Sequence, residues 1–334
     1  MDRPTVTVLA LGGTIAMSPG AAGGVVPTLD ADMLVAAVPD LGGIARVEAR
    51  SFRQMPGAHL RFVDLEELAD AIRELAAQGR RGVIVTQGTD TIEESAFALD
   101  RLLDLEMPVV VTGAMRNPSL AGADGPANLL AATRVAISEG ARGMGCLVVM
   151  NDEVHAARFV RKLHTSSPGA FGSPLSGPIG WVSEGRARLN ARLESIPAVM
   201  PAPTADVRVG LVTVALGDDG AHVRALLAMG IDGLVVAATG GGHVCPEVAD
   251  ALEEAAGRVP VVLASRTGAG ETLERTYGFV GSEIDLLRRG LVRAGWLDGL
   301  KARVLLTLLL RRGITEREAV ARAFEPWGGG TPAG

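Results

Sequence analysis

Short β-rich runs alternate with helical patterns along the first half of this 334-residue chain. One helical pattern stands out, because Leu65, Leu68 and Ile72 form an apolar stripe with acidic residues on the opposite side. Such alternation is typical of βαβ units, so we predict an α/β fold whose N-terminal sheet is mostly parallel and flanked by helices. The strands predicted in this half are 5–11, 46–52, 83–86, 109–112 and 146–150.

A second, smaller α/β domain is predicted after a linker. The segment 196–204, with the sequence IPAVMPAPT, is rich in proline and alanine and favours an irregular connection. We therefore expect an N-terminal domain at 1–195, a linker at 196–206 and a C-terminal domain at 207–327. Further expected elements are a hairpin within 151–188, strands at 207–215, 233–237 and 259–264, a buried helix around 300–310, and a frayed end at 327–334.

Composition and charge exclude several classes of function. A net charge of −6 provides no basic surface for nucleic acid, and no window reaches the roughly 20 apolar residues of a membrane span. The start of the chain lacks the order of a secretory signal, which favours a cytoplasmic protein. Five scattered histidines show no metal-ligand spacing, and the first glycine loop lacks the features of a nucleotide-binding loop. We therefore expect no metal and no cofactor.

Lysine is almost absent from the chain. Of its 32 basic residues, 30 are arginine, and the two lysines are Lys162 and Lys301. Arginine serves wherever only positive charge is needed, but it cannot lose its proton in a protein. A lysine kept in this background either marks a position that needs an amine able to release a proton or is a solvated lysine retained by chance.

Three glycine-containing segments each follow a predicted strand: GGTIA at 12–16, QGTDT at 87–91 and GAMR at 113–116. In a parallel sheet the carboxyl ends of the strands share one edge, where ligands bind. Thr14 and Thr89 each come directly after a glycine, where the backbone allows a ligand to approach closely. Thr91 with Glu94 reads as a capping box, which predicts a helix N-terminus there and favours a capping role for Thr91. Thr89 itself remains open between a cap and a site residue.

Taken together, these segments resemble the bacterial asparaginase/glutaminase family over nearly the whole chain. LGGTIA at 11–16, QGTDT at 87–91 and TGAMR at 112–116 are similar to family blocks, and NDEV at 151–154 begins the stretch that leads to Lys162. The resemblance implies that Thr14 is the nucleophile and that Thr89, Asp90 and Lys162 form a second catalytic group. Lysine would act as the base, and Asp90 would orient it and hold the substrate ammonium.

The resemblance also implies a substrate site and a mechanism. Backbone amides of Thr89 and Ala114 would form the oxyanion hole of a double displacement that passes through an acyl-threonine. Counting back from YGF at 277–279 reaches Glu271, which would enter the neighbouring subunit's site in a homodimer or homotetramer; it could instead be an exposed loop residue. The expected substrate-binding residues are Gly57, Gly88, Thr89, Asp90, Ala114, His243 and Glu271.

Four positions depart from the family pattern. The segment 17–29 contains no tyrosine, so either Thr14 is activated through Glu271, or through Lys162 and a water, or the enzyme is slow. Gly57 falls where a serine holds the substrate carboxylate, which leaves that role to backbone amides or to Arg53. Gln87 stands at a position usually taken by histidine. His243 stands where a substrate-contacting asparagine is common, and it either contacts substrate or caps the next helix.

The function expected is hydrolysis of L-asparagine to L-aspartate and ammonia. Glutamine as substrate stays open, because one methylene contributes only about 1–3 kcal/mol of discrimination. One alternative is the amidase subunit of a tRNA-dependent amidotransferase, which would bring an additional N-terminal domain and a basic surface. Another is a catalytically weak amino-acid sensor.

Overall fold

The structure is a computed structural model that describes residues 3–19, 25–27, 30–199 and 206–331. The chain divides into two compact units, Met1–Ala198 and Val199–Gly334. The strands of the first unit are β1 (Thr5–Ala10), β2 (Met17–Pro19), β3 (Val25–Pro27), β4 (Arg46–Ser51), β5 (Gly82–Thr86), β6 (Val109–Thr112), β7 (Cys146–Met150), β8 (Glu153–Ala156), β9 (Arg161–Lys162), β10 (Phe171–Gly172), β11 (Gly180–Ser183) and β12 (Arg186–Leu189). Its helices are α1 (Ala31–Ala36), α2 (Leu41–Ile44), α3 (Phe62–Ala77), α4 (Ile92–Leu102) and α5 (Gly125–Ala136).

An eight-stranded sheet forms the centre of the first unit, in the order β12-β11-β8-β7-β6-β5-β1-β4. Strands β4, β1, β5, β6 and β7 are parallel, and the remaining three join antiparallel. The register places Val8 beside Ile84 and Ile84 beside Val110, so β-branched side chains line up across the middle of the sheet. The predicted α/β class is confirmed, and each strand predicted in this half begins and ends within one residue of its actual bounds.

Helix α3 buries its apolar stripe and leaves its acidic face towards water. Leu68, Ile72 and Leu75 on its apolar stripe are fully buried, whereas the acidic face opposite them is largely open to water. Burying a leucine or isoleucine side chain stabilises a fold by about 1.5–3 kcal/mol. This burial, repeated along the flanking helices, fixes the loops at the carboxyl ends of the parallel strands.

The second unit contains a smaller sheet of four parallel strands. Its strands are β13 (Val209–Thr213), β14 (Gly233–Ala238), β15 (Val261–Ser265) and β16 (Val292–Arg293), and its helices are α6 (Ala221–Ala228), α7 (Pro246–Ala256), α8 (Glu283–Arg288), α9 (Gly299–Arg311) and α10 (Arg317–Phe324). Helix α9 is mostly buried, as expected. Lys301 lies within it, 1% exposed, with its Nζ 3.1 Å from the carboxylate of Asp298, the residue that caps the helix.

The expectation of a frayed end was wrong for residues 327–331. Trp327 is 1% exposed and packs edge-on against Trp296. The backbone of Gly330 donates to and accepts from Arg293 at 2.9 Å in each direction. Residues 332–334 lie outside the described residues, as do 200–205 of the predicted linker. Within the described ranges, no helix has both the length and the apolar character needed to cross a membrane.

Candidate active site

Two glycines turn the chain sharply where β1 ends. Gly12 and Gly13 have φ angles of +99° and +87°, a region that side chains other than glycine rarely adopt. A side-chain carbon on Gly12 would also lie 2.8 Å from the backbone of Met55. Thr14 then begins a 3-10 turn whose other residues, Ile15 and Ala16, are buried. Burial of Ile15 and Ala16 therefore holds the turn in place, and Thr14, which is partly buried, lies at its start.

Three loops meet backbone to backbone around Gly88. A side-chain carbon on Gly13 would collide with the Gly88 nitrogen, and one on Gly57 would lie 2.6 Å from the Gly88 carbonyl oxygen. Only glycine fits such close approaches. Because Thr14 follows Gly13 and Thr89 follows Gly88, this contact brings the turns that carry the two threonines together.

Lys162 reaches the second threonine directly. Its Nζ lies 3.0 Å from Thr89 Oγ1 and 2.8 Å from Asp90 Oδ1. The Lys162 side chain is 15% exposed and that of Asp90 65% exposed, so the amine is mostly enclosed while the carboxylate faces outward. The structure thus brings together the Thr89, Asp90 and Lys162 side chains that the sequence singled out.

Strand pairing and a buried histidine hold the segment that carries Lys162. Lys162 pairs with Phe171 between β9 and β10, and Ser173 follows that short strand. The hydroxyl of Ser173 lies 3.0 Å from Nδ1 of His155, which is fully buried. Burial lowers the pKa of His155 from 6.5 to about 4. The nearby carboxylate of Glu153, 3.3 Å from Nε2, does not reverse this shift, because it is 46% exposed and screened by water.

This histidine predicts a loss of stability in acid. Because the pKa of His155 is about 4 in the fold and near 6.5 when unfolded, protons bind the unfolded chain preferentially. Its contribution is complete above pH 6.5 and is lost as the pH falls towards 4, with a total of about 3 kcal/mol. Urea unfolding followed from pH 7.5 to 4.5 should show a steeper acid loss for the wild type than for His155→Gln. Parallel curves would contradict the role assigned to His155.

On the third loop, the backbone N–H of Ala114 differs from its neighbours in its hydrogen bonding. The neighbouring N–H groups of Met115 and Arg116 both donate to the carboxylate of Asp124, at 3.0 and 2.8 Å. Asn128 donates to the carbonyl of Gly113 at 3.0 Å and so fixes the loop from the other side. Among the described residues, the N–H of Ala114 has no acceptor. An N–H that has no acceptor and is held in a fixed loop can donate to an oxyanion that develops during a reaction.

The side chains of Gln87 and Thr91 bond to residues that the sequence did not indicate. Gln87 is fully buried; it accepts from Ser95 at 2.8 Å and donates to the carbonyl of Gly88 at 3.3 Å. The helix start predicted at Thr91 is confirmed, because Thr91 is the N-cap residue of α4. The predicted capping box is wrong, because the Thr91 hydroxyl makes no cap bond and donates instead to the carbonyl of Gly57 at 2.9 Å. Sequence spacing gave no signal for these contacts, which join residues on separate loops.

Arg53, which the sequence offers in place of the carboxylate-binding serine, already contacts two carboxylates. Its guanidinium donates to Asp64 at 3.1 Å, to Glu67 and to the carbonyl of Phe52. These contacts use three of the five guanidinium N–H groups, and the two carboxylates balance the charge of Arg53. Gly57 has no room for a side chain beside Gly88, so any role at this position belongs to its backbone.

Models of known families match both units of the chain. The model described as "Asparaginase, N-terminal" matches residues 5–195, and the "Glutaminase/Asparaginase C-terminal domain" matches 208–324. The chain belongs to the asparaginase family. The family and the enzyme class predicted from the sequence are confirmed.

Relatives across the asparaginase family align with almost the full length of the chain. A probable L-asparaginase of Deinococcus radiodurans is 38% identical, with 96% of this chain and 97% of the relative aligned. A probable periplasmic L-asparaginase of Haemophilus influenzae is 35% identical, with 92% and 89% aligned. Among solved structures, a probable cytoplasmic L-asparaginase from Campylobacter jejuni is 30% identical, with a TM-score of 0.86 and coverage of 97% of this chain and 99% of that one.

The second unit carries His243 and Glu271, the other two residues expected from the asparaginase resemblance. His243 does not cap helix α7, whose N-cap is Cys245. Its Nε2 lies 3.1 Å from the buried carboxylate of Glu283. Burial opposes ionisation of Glu283, but N–H groups of Tyr277 and Thr276, together with His243, outweigh it and lower its pKa. Glu271 is exposed on its loop.

No metal centre was expected for this family member. Across the described residues, no group of three or more histidine, cysteine or acidic side chains is placed to hold a metal ion. The charged groups near Thr89 are an amine and a single carboxylate, which suit proton transfer and recognition of an ammonium group.

Proposed function

We propose that the protein hydrolyses the side-chain amide of L-asparagine, with Thr14 as the nucleophile. The observation that carries the proposal is the contact of Lys162 Nζ with Thr89 Oγ1 at 3.0 Å, on a loop that touches the residue before Thr14. A hydroxyl needs a base to become a good nucleophile near neutral pH. A mostly enclosed lysine amine, oriented by Asp90, is the group that supplies one here.

The reaction proceeds in two displacements. The Thr14 oxygen bonds to the amide carbon, and its proton passes by way of Thr89 to Lys162. The Ala114 N–H stabilises the oxyanion, the C–N bond breaks, and ammonia leaves with the transferred proton. Water then attacks the acyl-threonine ester, aspartate is released, and Thr14 regains its proton.

Substrate recognition uses the same edge of the sheet. The exposed carboxylate of Asp90 pairs with the α-ammonium group. Backbone N–H groups around Gly57 and Gly88 bind the α-carboxylate, since Arg53 is already paired with Asp64 and Glu67. Glu271 and His243 complete the site of a neighbouring copy, so the active form is a homodimer or homotetramer. The first domain, 1–195, carries the catalytic groups, the domain 207–327 completes the neighbour's site, and the enzyme works in the cytoplasm.

Ammonia release tests this function directly. Purified protein incubated with asparagine, glutamine and simple amides should show saturable turnover, with asparagine preferred in kcat/KM. Glutamine turnover of equal or greater efficiency would assign the protein as a glutaminase instead. If asparagine raised the melting temperature without release of ammonia, the protein would be a sensor and the hydrolase proposal would be wrong.

A further inference from the structure

The side chain of Gln87 lies beside Gly88, where the loops of Gly13, Gly57 and Gly88 meet, but it has no part in the reaction proposed above. It is fully buried at the end of β5, two residues before Thr89. Its carbonyl oxygen accepts from Ser95 on helix α4 at 2.8 Å, and its amide nitrogen donates to the carbonyl oxygen of Gly88 at 3.3 Å. One side chain thus ties helix α4 to the peptide that leads into Thr89.

The peptide that Gln87 holds and the peptide before it are both enclosed by neighbouring loops. The Gly88 carbonyl oxygen faces Gly57, where a side-chain carbon would come within 2.6 Å of it. The carbonyl oxygen of Gln87 itself faces Gly113 at the same distance from such a carbon, and the nitrogen of Gly88 faces Gly13. The Gly88 carbonyl oxygen belongs to the Gly88–Thr89 peptide, and the other two atoms belong to the Gln87–Gly88 peptide before it. Rotation of the two peptides about Gly88 would therefore press against the loops of Gly57, Gly113 and Gly13. The plane of the Gly88–Thr89 peptide also sets where the Thr89 hydroxyl meets Lys162.

We infer that Gln87 is a positioning residue that holds the Gly88–Thr89 peptide with one donor and one acceptor independently of pH. The inference rests on the proposed function, because it assigns Thr89 and Lys162 to the chemistry. A primary amide offers a donor and an acceptor and has no proton to gain or lose in the physiological range. Imidazole offers the same pair only while it is neutral, and a carboxyl group offers a donor only while it is protonated.

These two replacements give opposite pH dependences. Gln87→Glu places an ionised carboxylate against the Gly88 carbonyl at high pH, and acidification restores a donor there; burial makes this protonation easier. Gln87→His keeps both bonds at high pH, and acidification introduces a buried charge and removes the acceptor. Gln87→Met has neither bond at any pH.

Activity relative to the wild type, measured from pH 5.5 to 9, tests the inference. At pH 8.5 we expect kcat to fall on the order of 10–100-fold for Gln87→Glu and Gln87→Met, with KM changed less than kcat, and Gln87→His to keep most of its activity. On acidification the Glu/wild-type ratio should rise, the His/wild-type ratio should fall, and the Met/wild-type ratio should stay level. Ratios for Glu and His that are flat or move together would overturn the inference.

Two further measurements separate a folding defect from a positioning defect. Thr133→Val removes a fully buried hydroxyl elsewhere in the same unit, one that donates to the carbonyl of Leu129 at 2.9 Å. It should lower stability without any change of the activity ratio with pH. Ser95→Ala removes the hydrogen bond from Ser95 to Gln87 but leaves the one from Gln87 to Gly88, so it should lower kcat less than Gln87→Met does.

Hydrogen exchange of the peptide covering residues 82–95 reads the order of the loop without any turnover. At high pH this peptide should exchange faster in Gln87→Glu than in the wild type, and the difference should disappear in acid. That result would support the inference even if the wild type released no ammonia. Equal exchange at every pH would contradict it. Absence of ammonia release by the wild type would count against the proposed function alone.

Discussion

Thr14→Ala is expected to lower kcat for asparagine by at least about 10⁴-fold, because the missing oxygen is the atom that bonds to the substrate. The affinity for asparagine should change less than about threefold, since the groups proposed to bind its ammonium and carboxylate remain. Ammonia release gives kcat, and calorimetric titration of the inactive variant gives Kd. The 3-10 turn should persist, because its other two residues, Ile15 and Ala16, stay buried.

Matched variants separate the loss of the hydroxyl from the loss of a threonine. Thr14→Ser keeps an oxygen at the same position and should retain much more activity than Thr14→Ala. Thr315→Ala makes the same change at an exposed threonine of the second unit and should leave kcat at the wild-type value. A Thr14→Ala variant with more than a tenth of wild-type kcat would assign the nucleophile to another residue.

Lys162→Arg is expected to be nearly as inactive as Lys162→Met, with kcat lowered by about 10²–10⁴-fold in both variants. Arginine keeps the positive charge and can still donate to Thr89 and Asp90, but it cannot release a proton to act as a base. The comparison therefore measures the need for a proton-releasing amine, which charge alone does not satisfy. Single-turnover ammonia release is the suitable measurement, because it reports the chemical step.

The other lysine provides the control. Lys301→Arg makes the same substitution at a buried position in helix α9 and should lower the melting temperature while kcat per folded molecule stays unchanged. If Lys162→Arg retained most of its activity, the proposed role of Lys162 would be wrong and its amine would serve only to hold Thr89 and Asp90.

The parallel strands could be predicted because their signal is local. Val83, Ile84 and Val85 are buried on both faces of β5, so a run of β-branched residues marks the strand without reference to anything else. The loops that follow such strands then share one sheet edge by topology. The family resemblance added Lys162, whose distance in sequence from Thr89 would otherwise hide their contact.

The errors arose where a distant partner decided the outcome. Thr91 fits the spacing of a capping box, but its hydroxyl bonds to Gly57, 34 residues earlier in the chain. Arg53 likewise pairs with Asp64 and Glu67, contacts that the sequence analysis did not anticipate. The glycine-rich end appeared suited to fraying, yet burial of Trp327 holds it. None of these partners has a fixed spacing that a sequence pattern could reveal.

The scarcity of lysine has a practical consequence for chemical conjugation. Reagents that acylate amines, and aldehydes that couple proteins to polymers or solid supports, need an accessible side-chain amine. Here Lys301 is 1% exposed and Lys162 15% exposed, so Lys162 is the more reachable of the two. Coupling there would block the amine that the proposed reaction uses. Attachment through a cysteine introduced on an exposed helix face leaves that amine intact, and it also spares the exposed carboxylate of Asp90.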